Sequence, residues 1–255
     1  MKSTPPPKWL QWKPQFTQTH TSNKKLLITT GGSYTASTEW FDGPVSWPGY
    51  LKDFVGFDLV MDVSYPGVGN MYIMDSVKYA LNNLPAGYSK DDCLVVIMWT
   101  ALHYYEQPSD SDEADYSIGN HRYRRWNDDY LKEPDLSQWV HQGANFIHRT
   151  ADFLTRQNIE FSFVYYANLL WQHRLPVIDS TCRFDNYLDS DQLQLLRNLP
   201  WACTGDDSLY EYALLNDYLD YENCDGYHPP IECNLDWTKN VLIPGLEKQG
   251  KISLC

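Results

Sequence analysis

Four short apolar segments along the chain alternate with segments of helical periodicity. The clearest is CLVVIMW at 93–99, because a strand without polar positions is typical of a sheet that helices cover on both faces. The other predicted strands are 25–30, 57–63 and 160–166. Such alternation indicates right-handed βαβ units that build a parallel sheet between two helical layers. We therefore predict an α/β protein, a three-layer α/β/α sandwich with a mostly parallel sheet of about five strands.

The helices are predicted from apolar residues that recur at helical spacing. One helix is expected to start near Ser46 and Pro48, and another at Met71. Further helices are predicted at 137–157, 190–198, 207–219 and 235–247.

The chain length of 255 residues is that of a single α/β domain. Residues 1–24 contain Pro5-Pro6-Pro7 and are interpreted as an extended N-terminal arm, so the domain spans 25–255. Residues 106–136 carry nine acidic residues and few aliphatic ones. We interpret them as a surface excursion, which is either a solvated loop, a lid or a partner-binding loop.

Charge and composition exclude several classes of protein. A net charge of −13 argues against nonspecific binding to nucleic acid or to an anionic membrane. There is no apolar run long enough for a transmembrane helix, and the prolines near the N-terminus do not fit a secretory signal. The absence of a signal peptide and of a transmembrane segment predicts a cytoplasmic protein, and no cofactor is expected. The six cysteines are expected to be reduced thiols, although Cys224 and Cys233 are close enough in sequence to pair outside a cell.

A serine follows the first predicted strand in the sequence LLITTGGSYT. Gly31 and Gly32 end the strand, and glycine tolerates both φ > 0 and close backbone approach. This arrangement can present the Ser33 hydroxyl at the carboxyl edge of a parallel sheet, where open α/β folds bind ligands. The alternative is a β-turn with a solvated serine.

A second candidate motif, CDGYHPP, precedes the last predicted helix. Asp225 can accept a hydrogen bond from the imidazole of His228, which would fix the tautomer and stabilise the imidazolium. A general base for a hydroxyl nucleophile requires both effects. An Asp-x-x-His sequence is also common in loops without any catalytic role.

Taken together, the serine after the first strand, the glycine loop after the second and the closing Asp-x-x-His resemble the SGNH, or GDSL, hydrolase superfamily. The resemblance implies that Ser33 is the nucleophile and that Asp225 and His228 complete a triad. It also implies that Gly67, in the sequence YPGVGN, contributes to the oxyanion hole. The implied fold is an SGNH-hydrolase-like α/β/α sandwich.

The sequence departs from the family pattern at two positions. Gly32 stands where the family's Gly-Asp-Ser has aspartate, which puts the rigidity of the loop in question. Thr100 stands where the family's Gly-x-Asn-Asp has the asparagine that donates to the oxyanion. A threonine hydroxyl can donate but has a shorter reach, and losing one such donor costs about 10²–10³ in rate.

The resemblance implies a serine ester hydrolase that works through an acyl-enzyme. O-acetyl or other small esters of a glycan are the expected substrates, since the family often removes acetyl groups and the chain has 19 Tyr and 10 Trp. Asn70 and Glu106 follow the second and third strands and are candidate rim residues.

Two other functions stay open. One is a weak or inactive SGNH-fold module, serving as a structural or glycan-binding part of an assembly such as a phage virion. The N-terminal arm or residues 106–136 would then contact a protein partner. The other is a structural zinc site, for which the candidate ligands are Cys203, Cys224, His228 and Cys233.

Overall fold

The structure, a computed structural model, describes residues 18–36, 46–100, 106–108, 116–125, 136–167, 170, 184–219 and 229–255. In chain order its strands are β1 (His20–Thr21), β2 (Leu26–Thr30), β3 (Leu59–Asp62), β4 (Cys93–Trp99), β5 (Glu106–Pro108), β6 (Tyr116–Ile118), β7 (His121–Arg125), β8 (Glu160–Tyr165) and β9 (Ser253–Leu254). The four predicted strands are confirmed as β2, β3, β4 and β8, with small shifts at their ends.

A parallel sheet with the strand order β3-β2-β4-β8 forms the centre of the molecule. A short fifth row lies beside β8, where the Phe163 N–H donates to Pro200 O (2.9 Å) and the Ala202 N–H to Phe163 O (2.8 Å). Every residue of β2 and β4 is buried, as expected for strands between two helical layers. The predicted α/β class and mostly parallel sheet are therefore confirmed.

The helices lie on both faces of this sheet. In chain order they are α1 (Trp47–Val55), α2 (Asn70–Asn82), α3 (Leu136–Arg156), α4 (Ser190–Arg197), α5 (Leu209–Leu215), α6 (Ile231–Trp237) and α7 (Ile243–Lys248). Leu26 and Ile28 face the core that α2 and α3 cover, whereas Leu27 faces the core that α1, α6 and α7 cover. Neighbouring residues of one strand thus enter opposite cores, which makes the sandwich three layers thick.

The last predicted helix differs in its start and its regularity. It was expected at 235–247 but begins at Ile231, directly after Pro229-Pro230, because Pro230 can act as N-cap without an N–H. A π-helical turn over 238–242 separates α6 from α7. Pro244 follows in the first turn of α7, and a π-turn accommodates the hydrogen bond that a proline cannot make.

Three strands within the acidic excursion form a small antiparallel sheet with the order β5-β7-β6. Tyr116, Ile118 and Tyr123 are buried and join the core beside α2. Sequence analysis did not predict these strands, because each is short and the acidic residues around them hide the alternation of buried positions.

The end of the predicted arm is attached to the domain. β1 pairs with β9 near the C-terminus, and the Thr19 N–H donates to Phe54 O (3.0 Å). Residues 1–17 of the predicted arm lie outside the described residues. Among the helices in the described part of the chain, none is long and apolar enough to cross a membrane.

Candidate active site

Ser33 lies in a single helical turn that begins where β2 ends. The backbone N–H groups of Thr35 and Ala36 both donate to Gly32 O, each at 3.0 Å. Ser33 is half-buried inside this turn. Because β2 is a central strand of a parallel sheet, the turn holds the serine at the carboxyl edge of the sheet, as predicted.

The two glycines before Ser33 are required by close packing. Glycine is favoured where φ is positive or where another group approaches the backbone closely. Neither glycine has a positive φ, so close approach is the reason that applies here. A Cβ on Gly31 would lie 2.9 Å from Met98 O and would clash with Thr35 Oγ1. A Cβ on Gly32 would lie 2.9 Å from Thr100 Cγ2.

Gly32 and Thr100, the two positions at which the sequence departs from the family pattern, therefore lie in contact. The methyl group of Thr100 occupies the space that the Cβ of any larger residue at position 32 would need. The hydrogen bonds to Gly32 O hold the Ser33 turn without an aspartate at this position.

Gly67 lies in the loop that follows β3, beside the Ser33 turn. Its φ of 68° is in the left-handed region, which glycine adopts without strain. In the same loop, the Tyr65 N–H donates to Gly31 O (3.1 Å), which ties the two loops together.

Asn70, the first residue of α2, connects this region to the end of β4. Its Oδ1 accepts from the Thr100 N–H (3.1 Å) and from the Thr100 hydroxyl (3.1 Å). Its Nδ2 donates to Thr100 O (3.3 Å). Both residues are 6% exposed, so the predicted rim residue Asn70 is buried and fixes the backbone at Thr100.

The loops meet at one cleft of about 290 Å³, a volume that includes space open to solvent. Of the predicted site residues, Ser33, Gly67 and Thr100 line it together. Among the described residues the lining is Gly32, Ser33, Tyr34, Gly67, Val68, Met98, Thr100 and Tyr166. None of these eight residues carries a charged side chain, so this part of the cleft suits a neutral, partly apolar group.

Sequence analysis missed the apolar lining of the cleft. Val68 and Met98 are fully buried beneath it, and the rings of Tyr34 and Tyr166 pack with centroids 4.9 Å apart at 46°. Tyr34 directly follows Ser33, and this adjacency is the one feature of the sequence that could have predicted its place in the cleft. Tyr166 follows β8, and the parallel sheet brings it to the same edge as the end of β2.

The side chains of the remaining predicted site residues are outside the part of the chain that the structure describes. Asp225 and His228 are not among the described residues. For Glu106 the backbone lies in β5, and its side chain is outside the description. The catalytic roles of Asp225 and His228 and the rim position of the Glu106 side chain stay predictions.

Two candidate zinc ligands are buried thiols. Burial raises the pKa of Cys203 and of Cys233 to about 12, so both thiols are protonated at neutral pH. A zinc ligand has to be a thiolate, and burial in an apolar core opposes that form. Among the described residues no group of three or more His, Cys, Asp or Glu side chains could hold a metal ion. Cys224 and His228 lie outside those residues.

Comparison with protein families and curated proteins finds no match, whereas comparison with solved structures does. A protein of Parabacteroides merdae described as a GDSL-like lipase superposes with a TM-score of 0.50 at 10% identity, covering 89% of this chain and 96% of that one. The psychrotrophic esterase EstA from Pseudoalteromonas gives 0.50 at 11% identity, covering 88% and 100%. The chain has an SGNH/GDSL hydrolase-like fold.

A third structural match concerns length. Protein YXIM of Bacillus subtilis superposes with a TM-score of 0.52 at 8% identity. The match covers 90% of this chain and 58% of that one, so that protein is considerably longer. The resemblance inferred from the sequence motifs is therefore confirmed at the level of the SGNH/GDSL fold, and function requires its own argument from the site.

Proposed function

We propose that the protein is a serine ester hydrolase with Ser33 as the nucleophile. The observation that carries the proposal is the cleft at the carboxyl edge of the parallel sheet, which Ser33, Gly67 and Thr100 line together. These residues come from the loops after three different strands, so their convergence depends on the fold and is independent of any local motif. Open α/β sheets bind their ligands at this edge.

In the proposed reaction, His228 accepts the Ser33 hydroxyl proton as the Ser33 oxygen bonds to the ester carbonyl carbon. When the tetrahedral intermediate collapses, the bond to the alcohol oxygen breaks and His228 returns the proton to that alcohol. Water then attacks the acyl-enzyme with His228 as base, which releases the carboxylic acid and restores Ser33. Asp225 orients His228 and stabilises its imidazolium form.

The proposed oxyanion hole consists of the backbone N–H groups of Ser33 and Gly67 with help from Thr100. The left-handed backbone at Gly67 supports its assignment, because it turns the peptide in a way that a larger residue would resist. Thr100 can donate its hydroxyl hydrogen to the oxyanion only by releasing Asn70 Oδ1.

As substrates we propose O-acetyl or other small esters of a glycan. The described residues that line the cleft are uncharged, and together with the buried Val68 and Met98 beneath it they favour a short, neutral acyl group. The structurally similar esterase EstA was crystallised with monoethylphosphonate as inhibitor. Phosphonates that react with a nucleophilic serine are therefore suitable probes of Ser33.

One observation favours a second candidate, a catalytically weak or inactive module that binds a glycan or a protein partner in an assembly. The Thr100 N–H and hydroxyl both donate to Asn70 Oδ1. The side-chain donor that the family supplies from this region is thus already engaged. In this case the N-terminal arm or residues 106–136 would contact the partner.

The two candidates are separated by labelling with a fluorophosphonate probe and by turnover of p-nitrophenyl acetate. The wild type is compared with Ser33→Ala and His228→Ala, and Ser22→Ala serves as a control because Ser22 lies beside the β1–β9 pair. A hydrolase is labelled only when Ser33 is present, and Ser33→Ala lowers turnover by at least about 10³-fold. Absence of Ser33-dependent labelling together with absence of turnover would instead support the inactive module.

A further inference from the structure

Four tyrosines form a stacked aromatic cluster beside the candidate active site. Tyr65 stacks on Tyr116 with centroids 5.7 Å apart at 29°, and Tyr116 stacks on Tyr123 at 5.7 Å and 17°. Tyr72 packs edge-on against Tyr116 (5.6 Å, 78°) and Tyr123 (5.7 Å, 71°). These separations and angles are those of favourable ring pairs.

The inner rings of this cluster are anchored. Tyr123 is 1% exposed and its hydroxyl donates to Asp75 Oδ2 (2.8 Å). Tyr72 is 3% exposed and donates to Val63 O (3.2 Å). Tyr116, at 6%, lies between them and the outer ring. The outer ring therefore rests on a rigid base.

Tyr65 is the outer ring, and it is 42% exposed. Stacking on Tyr116 covers part of its surface, and the exposed remainder adds nothing to the core. A flat aromatic surface that is held rigidly and left in water loses little conformational entropy when a ligand packs on it. Such a surface fits a ligand that is itself flat and amphipathic.

The position of Tyr65 relative to the cleft is set by the backbone. Its N–H donates to Gly31 O (3.1 Å), and the same loop carries Gly67, which lines the cleft with Ser33. This hydrogen bond thus joins the loop that carries Tyr65 to the loop that carries the proposed nucleophile, Ser33. A ligand on Tyr65 would lie at the side of the cleft.

We propose that Tyr65 is a stacking platform for a sugar ring of a neutral oligosaccharide. A pyranose has one face of C–H groups that can pack on an aromatic ring, while its hydroxyl groups stay in water. This inference deepens the proposed function and rests on it, since the bound sugar would place its O-acyl group in the Ser33 cleft. The platform itself requires only binding.

The test measures binding without turnover, using the full chain in a Ser33→Ala background. Calorimetric titration and saturation-transfer NMR are performed with xylotetraose, cellotetraose, mannotetraose and the tetramer of N-acetylglucosamine. Replacing Tyr65 by Leu keeps an apolar side chain but removes the flat face, and Tyr65→Phe keeps the face. The matched control is Tyr79→Ala, because Tyr79 is 37% exposed, lies on α2 and packs beside Gly119.

At least one tetrasaccharide is expected to bind, with about five- to tenfold weaker affinity for Tyr65→Leu and nearly unchanged affinity for Tyr65→Phe and Tyr79→Ala. Absence of binding to all four sugars overturns the platform, and so does equal binding by Tyr65→Leu and Tyr65→Phe. Failure of the proposed function has a different signature, because Tyr65-dependent binding would then persist in a protein without Ser33-dependent turnover.

Discussion

At the amino-terminal end of the parallel sheet, lysine–carboxylate ion pairs lie beside the strands, whereas at the carboxyl ends of β2 and β4 hydrogen bonds between uncharged groups and close contacts hold the loops of the candidate site. Lys24 Nζ lies 3.1 Å from Glu160 Oε1, and Lys251 Nζ lies 3.7 Å from Glu160 Oε2. Lys25 Nζ lies 3.8 Å from Asp92 Oδ1 just before β4. These side chains keep part of their surface in water, and ion pairs in contact with solvent contribute little to stability and adjust easily to change.

The carboxyl end has little room for such adjustment. Gly31 and Gly32 lie against Met98 and Thr100 at distances that exclude even a methyl group. Buried Asn70 satisfies the N–H, hydroxyl and carbonyl groups of Thr100. Contacts at the amino-terminal end are therefore replaceable, whereas those at the carboxyl end both stabilise the protein and fix the positions of the loops at the candidate site.

The largest expected effect is that of Asn70→Ala. Removing this side chain leaves buried N–H and carbonyl groups of Thr100 without partners, so the free energy of unfolding should fall by about 2–3 kcal/mol. Any Ser33-dependent esterase activity should fall by about tenfold or more, because the loop at Thr100 loses its support. Urea denaturation and p-nitrophenyl acetate turnover measure the two effects.

Asn83→Ala is the matched control for this variant. Asn83 lies at the other end of α2 and is exposed, and its side-chain amide donates to Tyr79 O (2.8 Å). It should lose about 0.5 kcal/mol or less, as expected for a surface position. Equal losses for Asn70→Ala and Asn83→Ala would contradict the special role of the carboxyl end.

A smaller effect is expected from Gly32→Ala, which forces a new methyl group against Thr100 Cγ2. Overpacking of this kind should destabilise the protein by about 1–3 kcal/mol. Thr100→Ser removes the opposing methyl group and keeps the hydroxyl that donates to Asn70. The double variant should therefore recover much of the stability that Gly32→Ala loses.

A double-mutant cycle of these two substitutions, followed by thermal unfolding, quantifies the coupling. A positive coupling would show that the two departures from the family pattern compensate each other. Additive effects of the two substitutions would contradict the contact between position 32 and Thr100.

The smallest expected effect is an acid response at the amino-terminal end. Hydrogen bonds from Ser89 lower the pKa of Asp92 below its ordinary value, and the charges of Lys25 and Lys24 lower it further. Because the unfolded chain binds this proton more readily, the stabilisation is complete above the unfolded pKa. It is lost as the pH falls through the lower folded pKa.

Thermal unfolding between about pH 6 and pH 2.5 tests this response in wild type and Asp92→Asn. The difference in melting temperature between the two proteins should be constant at the upper end and shrink as the pH falls below the unfolded pKa. A difference that does not change with pH would mean that the Asp92 charge contributes nothing.

Secondary structure near the candidate site was well predicted from the sequence, since it depends on local patterns. The apolar segment at 93–99 became β4 with the predicted ends, because every one of its side chains is buried. Ser46 and Pro48 correctly indicated the start of α1. The strands at 116–118 and 121–125 escaped prediction, because acidic residues surround only a few buried positions.

The sequence by itself determined the alternation of strands and helices, and with it the position of Ser33 at the carboxyl edge of a parallel sheet. Only the tertiary structure decided that Gly32 and Thr100 compete for the same space, that Asn70 supports Thr100 and that Tyr65 rests on Tyr116. The physical reason is that strands and helices follow from the spacing of apolar residues that are close together in the sequence. Contacts between loops instead depend on side chains that come together only when the sheet forms.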